Sequence, residues 1–124
     1  MDKKKILVAG DESNIRLLIN NMLGENYTVI EASDGEEAVN VAHSQEPDLI
    51  LMDIIMPKVD GYTACHAIKA NQATGTIPVV MLTGVGYELN KKLAKEIGAD
   101  GYMTKPFGLS DLLDTIGQFL KVPK

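Results

Sequence analysis

Asp48-Leu49-Ile50-Leu51-Met52-Asp53-Ile54-Ile55-Met56-Pro57 is an apolar run in which a single carboxylate follows four hydrophobic residues. Leu49 to Met52 offers no polar residue to either side of an extended chain. A strand there must be buried on both faces, and such strands belong to parallel sheets covered by helices. Ile6-Leu7-Val8-Ala9 and Ile77-Pro78-Val79-Val80-Met81-Leu82 read the same way. Tyr27-Thr28-Val29-Ile30 is rich in β-formers, and Gly101-Tyr102-Met103 is a shorter fifth run.

The stretches between these runs have helical spacing. Ile15, Leu18, Ile19 and Met22 recur at three- and four-residue steps or close to them, which predicts one buried face. Further helices are expected over 36–44, 61–71, 87–97 and 109–121. Ser13 is placed to cap the first helix and Gly24 to end it. Ser33-Asp34-Gly35 is a turn cluster before a helix opening on Glu36 and Glu37, favourable at the positive end of the dipole. Gly98 sits where a left-handed residue would follow the helix at 87–97, and Gly108 is a weaker cap for the last. Five strands alternating with five helices imply right-handed βαβ crossovers. The expected fold is a three-layer α/β sandwich around a five-stranded parallel sheet, with ligands beyond the carboxyl ends of its strands.

Composition bounds the class. With 124 residues the chain fits one domain, taken as 1–124. It is 45% hydrophobic and 23% charged, ordinary for a soluble globular protein. A net charge of −5, from 12 basic and 17 acidic residues, argues against a nucleic-acid or anionic-membrane surface. Cys65 is the sole cysteine, so no intrachain disulfide forms and a reducing compartment is the simpler reading. The apolar runs fall far short of a transmembrane helix, and the one after Lys3-Lys4-Lys5 stops at Gly10-Asp11-Glu12, too early for a signal peptide. A cytoplasmic protein is expected.

The strand ends carry the chemistry. Asp11 and Glu12 follow the first run and Asp53 the third; Thr83 ends the fourth, and Lys105-Pro106 follows the fifth. Carboxylates after the first and third strands, adjacent in such a sheet, give the hard oxygen ligands that Mg²⁺ takes beside water and phosphate. Lys105 and Thr83 can hold phosphoryl oxygens, and an aspartate can itself carry an acyl phosphate. Singly these residues are ordinary: an aspartate after a strand usually serves a turn, Thr83-Gly84 a strand exit, and Lys105 a solvated surface. Together at one sheet edge they describe phosphoryl transfer by positioning and charge neutralisation.

The whole chain resembles the receiver domains of bacterial response regulators. The likeness rests on Ile6-Leu7-Val8, on the run from Asp48 to Pro57 with Asp60-Gly61 after it, on Pro78 to Thr83, on Gly98-Ala99-Asp100-Gly101-Tyr102 and on Lys105-Pro106-Phe107. It implies a (βα)5 flavodoxin-like fold and phosphorylation of Asp53 by a sensor histidine kinase or phosphotransfer protein. It further implies Mg²⁺ held by Asp11, Asp53 and the backbone carbonyl of Ile55, with Glu12 as an additional candidate. Thr83 and Lys105 would contact the phosphoryl group, Tyr102 would turn inward as Thr83 moves, and a downstream protein target would dock on 87–121. A cis Lys105-Pro106 bond is also implied.

Three departures qualify the likeness. Receivers usually carry two successive acids after the first strand, whereas here Gly10 precedes Asp11. Asp11, Asp53 and Lys105 then sum to −1 where the usual pocket sums to −2, so weakened but retained Mg²⁺ affinity is expected. Ile55 and Val85 stand where polar groups often orient the attacking water, so slow loss of the phosphoryl group is expected. A degenerate receiver, acting as an interaction module without phosphorylation, is the alternative. An enzyme of the haloacid-dehalogenase kind would need a second aspartate where Ile55 stands, and a flavin phosphate would meet negative charge at Asp11-Glu12. His43 and His66 lack ligand spacing, and Cys65, on one face with Tyr62 and Ile68, is expected to be a buried structural thiol. The predicted last helix ends about three residues before Lys124, so no output domain is expected within the chain.

Overall fold

The computed structural model describes residues 3–54, 56–83, 92 and 95–120. Five strands, β1 (Lys5–Ala9), β2 (Thr28–Ala32), β3 (Leu49–Asp53), β4 (Val79–Thr83) and β5 (Gly101–Thr104), form one sheet. All neighbours pair in parallel, in the order β2-β1-β3-β4-β5. Strand order therefore reverses between β1 and β3, the switch point where such sheets open a crevice. The described helices are α1 (Ser13–Leu23), α2 (Gly35–Gln45), α3 (Gly61–Ala70) and a C-terminal helix, Leu109–Phe119, with a short 3₁₀ turn at Gly24–Asn26. The helix expected over 87–97 lies mostly outside the described residues.

Alternation along the strands divides the core. Leu7, Ala9, Ile50, Met52, Val79 and Met81 point to one face, against Ala38 and Ala42 of α2 and Ala64, Cys65 and Ile68 of α3. Ile6, Val8, Leu49, Leu51, Val80 and Leu82 point to the other, against Ile19 and Leu23 of α1 and Leu112 and Ile116 of the C-terminal helix. Both faces being covered is why the strands read as uninterrupted apolar runs.

Two local expectations change. Ser13 does not cap α1: Glu12 holds the N-cap position and Ser13 is the first helical residue. Leu18 is 42% exposed, beside Leu17, because it lies one 100° step from buried Ile19 and falls on the flank of the stripe formed by Ile15, Ile19, Met22 and Leu23. Other boundary signals hold. Gly24 and Gly98 take positive φ, 53° and 91°. Asp34 accepts from the Glu37 N–H at 2.8 Å and Asp60 from the Thr63 N–H at 2.8 Å, each capping its helix. At the last helix the weak cap of Gly108 is supplemented by Asp111, whose carboxylate accepts the Gly108 N–H at 3.0 Å.

A clamp not foreseen in the sequence closes the amino end of the sheet. Lys69 of α3 donates to the Ile77 carbonyl at 3.0 Å and pairs with Asp100 at 2.8 Å; Asp100 also accepts the Val79 N–H at 2.8 Å. Beneath it Cys65 is fully buried, and that burial pushes its thiol up to about 11. Since the thiolate is the reactive form, Cys65 in the folded chain is expected to resist iodoacetamide at pH 8 for hours and to react completely in denaturant. Equal labelling rates in the two states, followed by mass, would contradict the buried assignment.

Candidate phosphoryl-transfer site

Asp53 ends β3 one residue beyond Met52, whose β1 partner is Ala9. Register thus sets Gly10 beside Asp53, and a Cβ added to Gly10 would lie 3.4 Å from the Asp53 Cβ and 3.5 Å from Oδ2. The Asp53 side chain is 8% exposed, and its Oδ1 accepts from the Ile54 N–H at 2.9 Å and from Lys105 Nζ at 2.8 Å. Lys105 follows β5 and is aimed by its own backbone: its N–H donates to the Thr83 carbonyl at 2.8 Å, and the Lys105–Pro106 bond is cis, as expected. Thr83, buried at the end of β4, completes the row of β1, β3, β4 and β5 ends.

The acidic side of the crevice gathers more than the count from Gly10 allows. Ligand oxygens of Asp11, Glu12 and Asp53 all lie within 4.8 Å of one another. With Lys105 the described charges sum to −2, the value of a pocket with two successive acids, because Glu12 adds one negative charge to the expected −1. Three carboxylates offering hard oxygens at this spacing suit a small divalent cation that keeps part of its water shell.

Two residues shape the site beyond the roles read from the sequence: Arg16, which no motif contains, and Gly61, a landmark of the resemblance to which no role was attached. Arg16 donates to the Gly10 carbonyl and pairs with Glu31 at 3.0 Å, tying the loop after β1 to β2. A basic residue four positions after an acid suggests a local ion pair, yet here it reaches another strand. Gly61 starts α3 directly against the end of β3: its N–H donates to the Ile54 carbonyl at 2.7 Å. An added Cβ there would lie 2.0 Å from the Asp53 carbonyl oxygen. The Asp60-Gly61 pair is the signal for this close approach.

Not every expected residue joins the cluster. Tyr102 of β5 is 47% exposed in this structure, two residues before Thr104, the partner of Thr83. The Ile55 carbonyl, Gly84, Val85 and most of 87–97 lie outside the described residues. His43 and His66 are exposed and far from the carboxylates in sequence and element, on α2 and α3.

Comparison with known proteins agrees with this geometry. The family model of the response regulator receiver domain matches residues 6–117. The alkaline phosphatase synthesis transcriptional regulatory protein PhoP of Bacillus subtilis is 44% identical over 107 residues, 86% of this chain and 44% of PhoP. A chemotaxis response regulator of Vibrio cholerae superposes with a TM-score of 0.89 at 31% identity, covering 95% of this chain and 99% of that one. The receiver domain of a Pseudomonas aeruginosa sensor histidine kinase, solved with a magnesium ion coordinated in its active-site cleft, gives 0.87 at 30% identity, covering 94% and 97%. The chain spans about half the length, or less, of the curated relatives it matches.

Proposed function

The chain belongs to the response regulator receiver family, signalling modules of two-component systems, and from that premise we propose that it accepts a phosphoryl group on Asp53 in a Mg²⁺-dependent reaction. The observation that carries this reading is the placement of Asp53: nearly buried, with Oδ1 held by Lys105 and Oδ2 on the side of Gly10. One carboxylate oxygen is thereby fixed by a cation while the other faces the acidic crevice.

In the proposed step an Asp53 oxygen attacks the phosphorus of a phosphohistidine or of acetyl phosphate. The new P–O bond forms as the donor's P–N or P–O bond breaks, and the donor leaves with that electron pair. Lys105 balances the oxygens that carry charge through a loose transition state, and the Thr83 hydroxyl donates to one of them. Asp11 and Asp53, with the Ile55 carbonyl, would hold Mg²⁺, which when bound offsets the negative charge of the incoming phosphoryl oxygens.

The phosphoryl group carries roughly −1.5 to −2 charge. Because the Asp53 carboxylate charge is consumed in the mixed anhydride, the net gain is about −0.5 to −1 at the end of β3, next to β4. Thr83 drawn toward that charge would vacate space for Tyr102, and region 87–121 would present the changed face to a downstream protein. A sensor histidine kinase or phosphotransfer protein is the proposed donor, and the cytoplasm the proposed compartment. Among the described residues no helix is long and apolar enough to cross a membrane.

Incubation with acetyl phosphate and Mg²⁺ followed by intact-mass measurement tests the reading. One phosphoryl increment, lost on chelation before incubation, is expected. An unchanged mass would favour the second reading, a receiver that binds partners without phosphorylation, which Gly10 in place of an acid motivates.

A further inference from the structure

Glu12 occupies the N-cap position of α1 with φ −86° and ψ 105°, yet its side chain makes no capping hydrogen bond. Aspartate at an N-cap ordinarily accepts from the first turn of its own helix, whereas glutamate, one methylene longer, is not among the preferred caps. The Glu12 carboxylate instead stands with Asp11 and Asp53, inside 4.8 Å. Arg16, the basic residue that could neutralise it, is committed to Glu31 and to the Gly10 carbonyl. Lys105 is committed to Asp53. Among the described residues neither Asp11 nor Glu12 has an ion-pair partner.

We propose that Glu12 is a functional replacement for the acid missing at position 10, contributing to Mg²⁺ binding directly or through a metal-bound water. The inference rests on the phosphoacceptor reading above and deepens it, naming an acid that serves the cation where position 10 offers no side chain. The two positions approach the cleft differently. A side chain at 10 would enter beside Asp53 Oδ2, in ordinary van der Waals contact at Cβ. Glu12 lies two residues later, at the start of α1, and its extra methylene lets the carboxylate reach back over the loop. Because Arg16 holds the Gly10 carbonyl and the Gly10 N–H donates to Ala32 at 3.0 Å, the backbone from which Glu12 reaches is tied on both sides.

The consequence is that Gly10 does not by itself impair metal binding. Calorimetric titration of the full chain with MgCl₂ near 0.15 M salt tests this, because remote surface charges are largely screened beyond about 8 Å there. Glu12→Gln keeps shape and removes charge; it should weaken Mg²⁺ binding about tenfold, the scale seen when supporting groups of a metal site are removed. Glu25→Gln, a distant acid in the 3₁₀ turn, should leave it unchanged. Gly10→Asp should restore affinity in the Glu12→Gln background while adding little to the wild type. Equal affinities of wild type and Glu12→Gln, with Asp11→Asn still weakened, would overturn the role of Glu12 and leave the phosphoacceptor reading intact. Absence of any binding by the wild type would overturn the metal reading itself and this inference with it.

Discussion

Asp53→Asn is expected to abolish phosphoryl uptake completely while leaving the fold in place. Intact mass after acetyl phosphate and Mg²⁺ should show one increment in the wild type and none in the variant. The amide keeps the shape of the carboxylate and can still accept from the Ile54 N–H and from Lys105, so packing at the end of β3 is conserved. Charge is what changes. Lys105 loses a 2.8 Å ion pair but keeps 24% of its side chain in solvent, which limits the cost of leaving it unpaired. Against that, the carboxylates of Asp11 and Glu12 no longer face a third negative group inside 4.8 Å. These terms oppose each other, and thermal unfolding should move by no more than a few degrees. Retention of the increment in Asp53→Asn would place the acceptor elsewhere; a collapse in stability would mean that the variant reports on folding instead of chemistry.

Gly61→Ala is expected to be the most damaging single methyl in the crevice. Its Cβ would lie 2.0 Å from the Asp53 carbonyl oxygen and 2.8 Å from the Ile54 Cα, both backbone atoms at the carboxyl end of β3. No flexible side chain can yield, so either α3 must lift away or β3 must shift. Overpacking of this kind costs about 3 kcal/mol, and in a domain of this size melting should fall by roughly 10 °C or more. Lifting α3 would also break the 2.7 Å bond from the Gly61 N–H to the Ile54 carbonyl. Gly117→Ala supplies the contrast within the same molecule. Nothing lies within 4 Å of its added Cβ, and it sits inside the C-terminal helix. There alanine should stabilise by roughly 0.5–1 kcal/mol through helix propensity. Similar melting temperatures for the two variants would contradict the close approach of α3 to Asp53.

The architecture was legible in the sequence because its signals are local. Leu49 to Met52 and Val79 to Leu82 announce strands buried on both faces, and the structure places their alternate residues in two separate cores. Asp34, Gly24 and Gly98 mark helix ends through chemistry that needs only a few neighbouring residues. Local reading went astray at Ser13, where cap and first helical residue are equally good sequence matches, and at Leu18, where one 100° step separates flank from core.

The candidate site divides along the same line. Asp11, Asp53, Thr83 and Lys105 were identifiable because each follows an apolar run, and parallel topology brings strand ends to one edge. Side-chain reach was not identifiable. The sequence by itself determined which residue types stand at that edge and, through its resemblance to receivers, that Gly10 stands where an acid is usual. Only the tertiary structure decided that Arg16 turns to β2 and that α3 begins against the backbone of Asp53. It also decided that Glu12 leaves its helix uncapped to stand beside Asp53, 41 positions further along the chain. Backbone topology follows from the periodicity of burial along the chain. The direction of a long charged side chain depends on which partners three strands and a helix bring within its length, and those partners are distant in sequence.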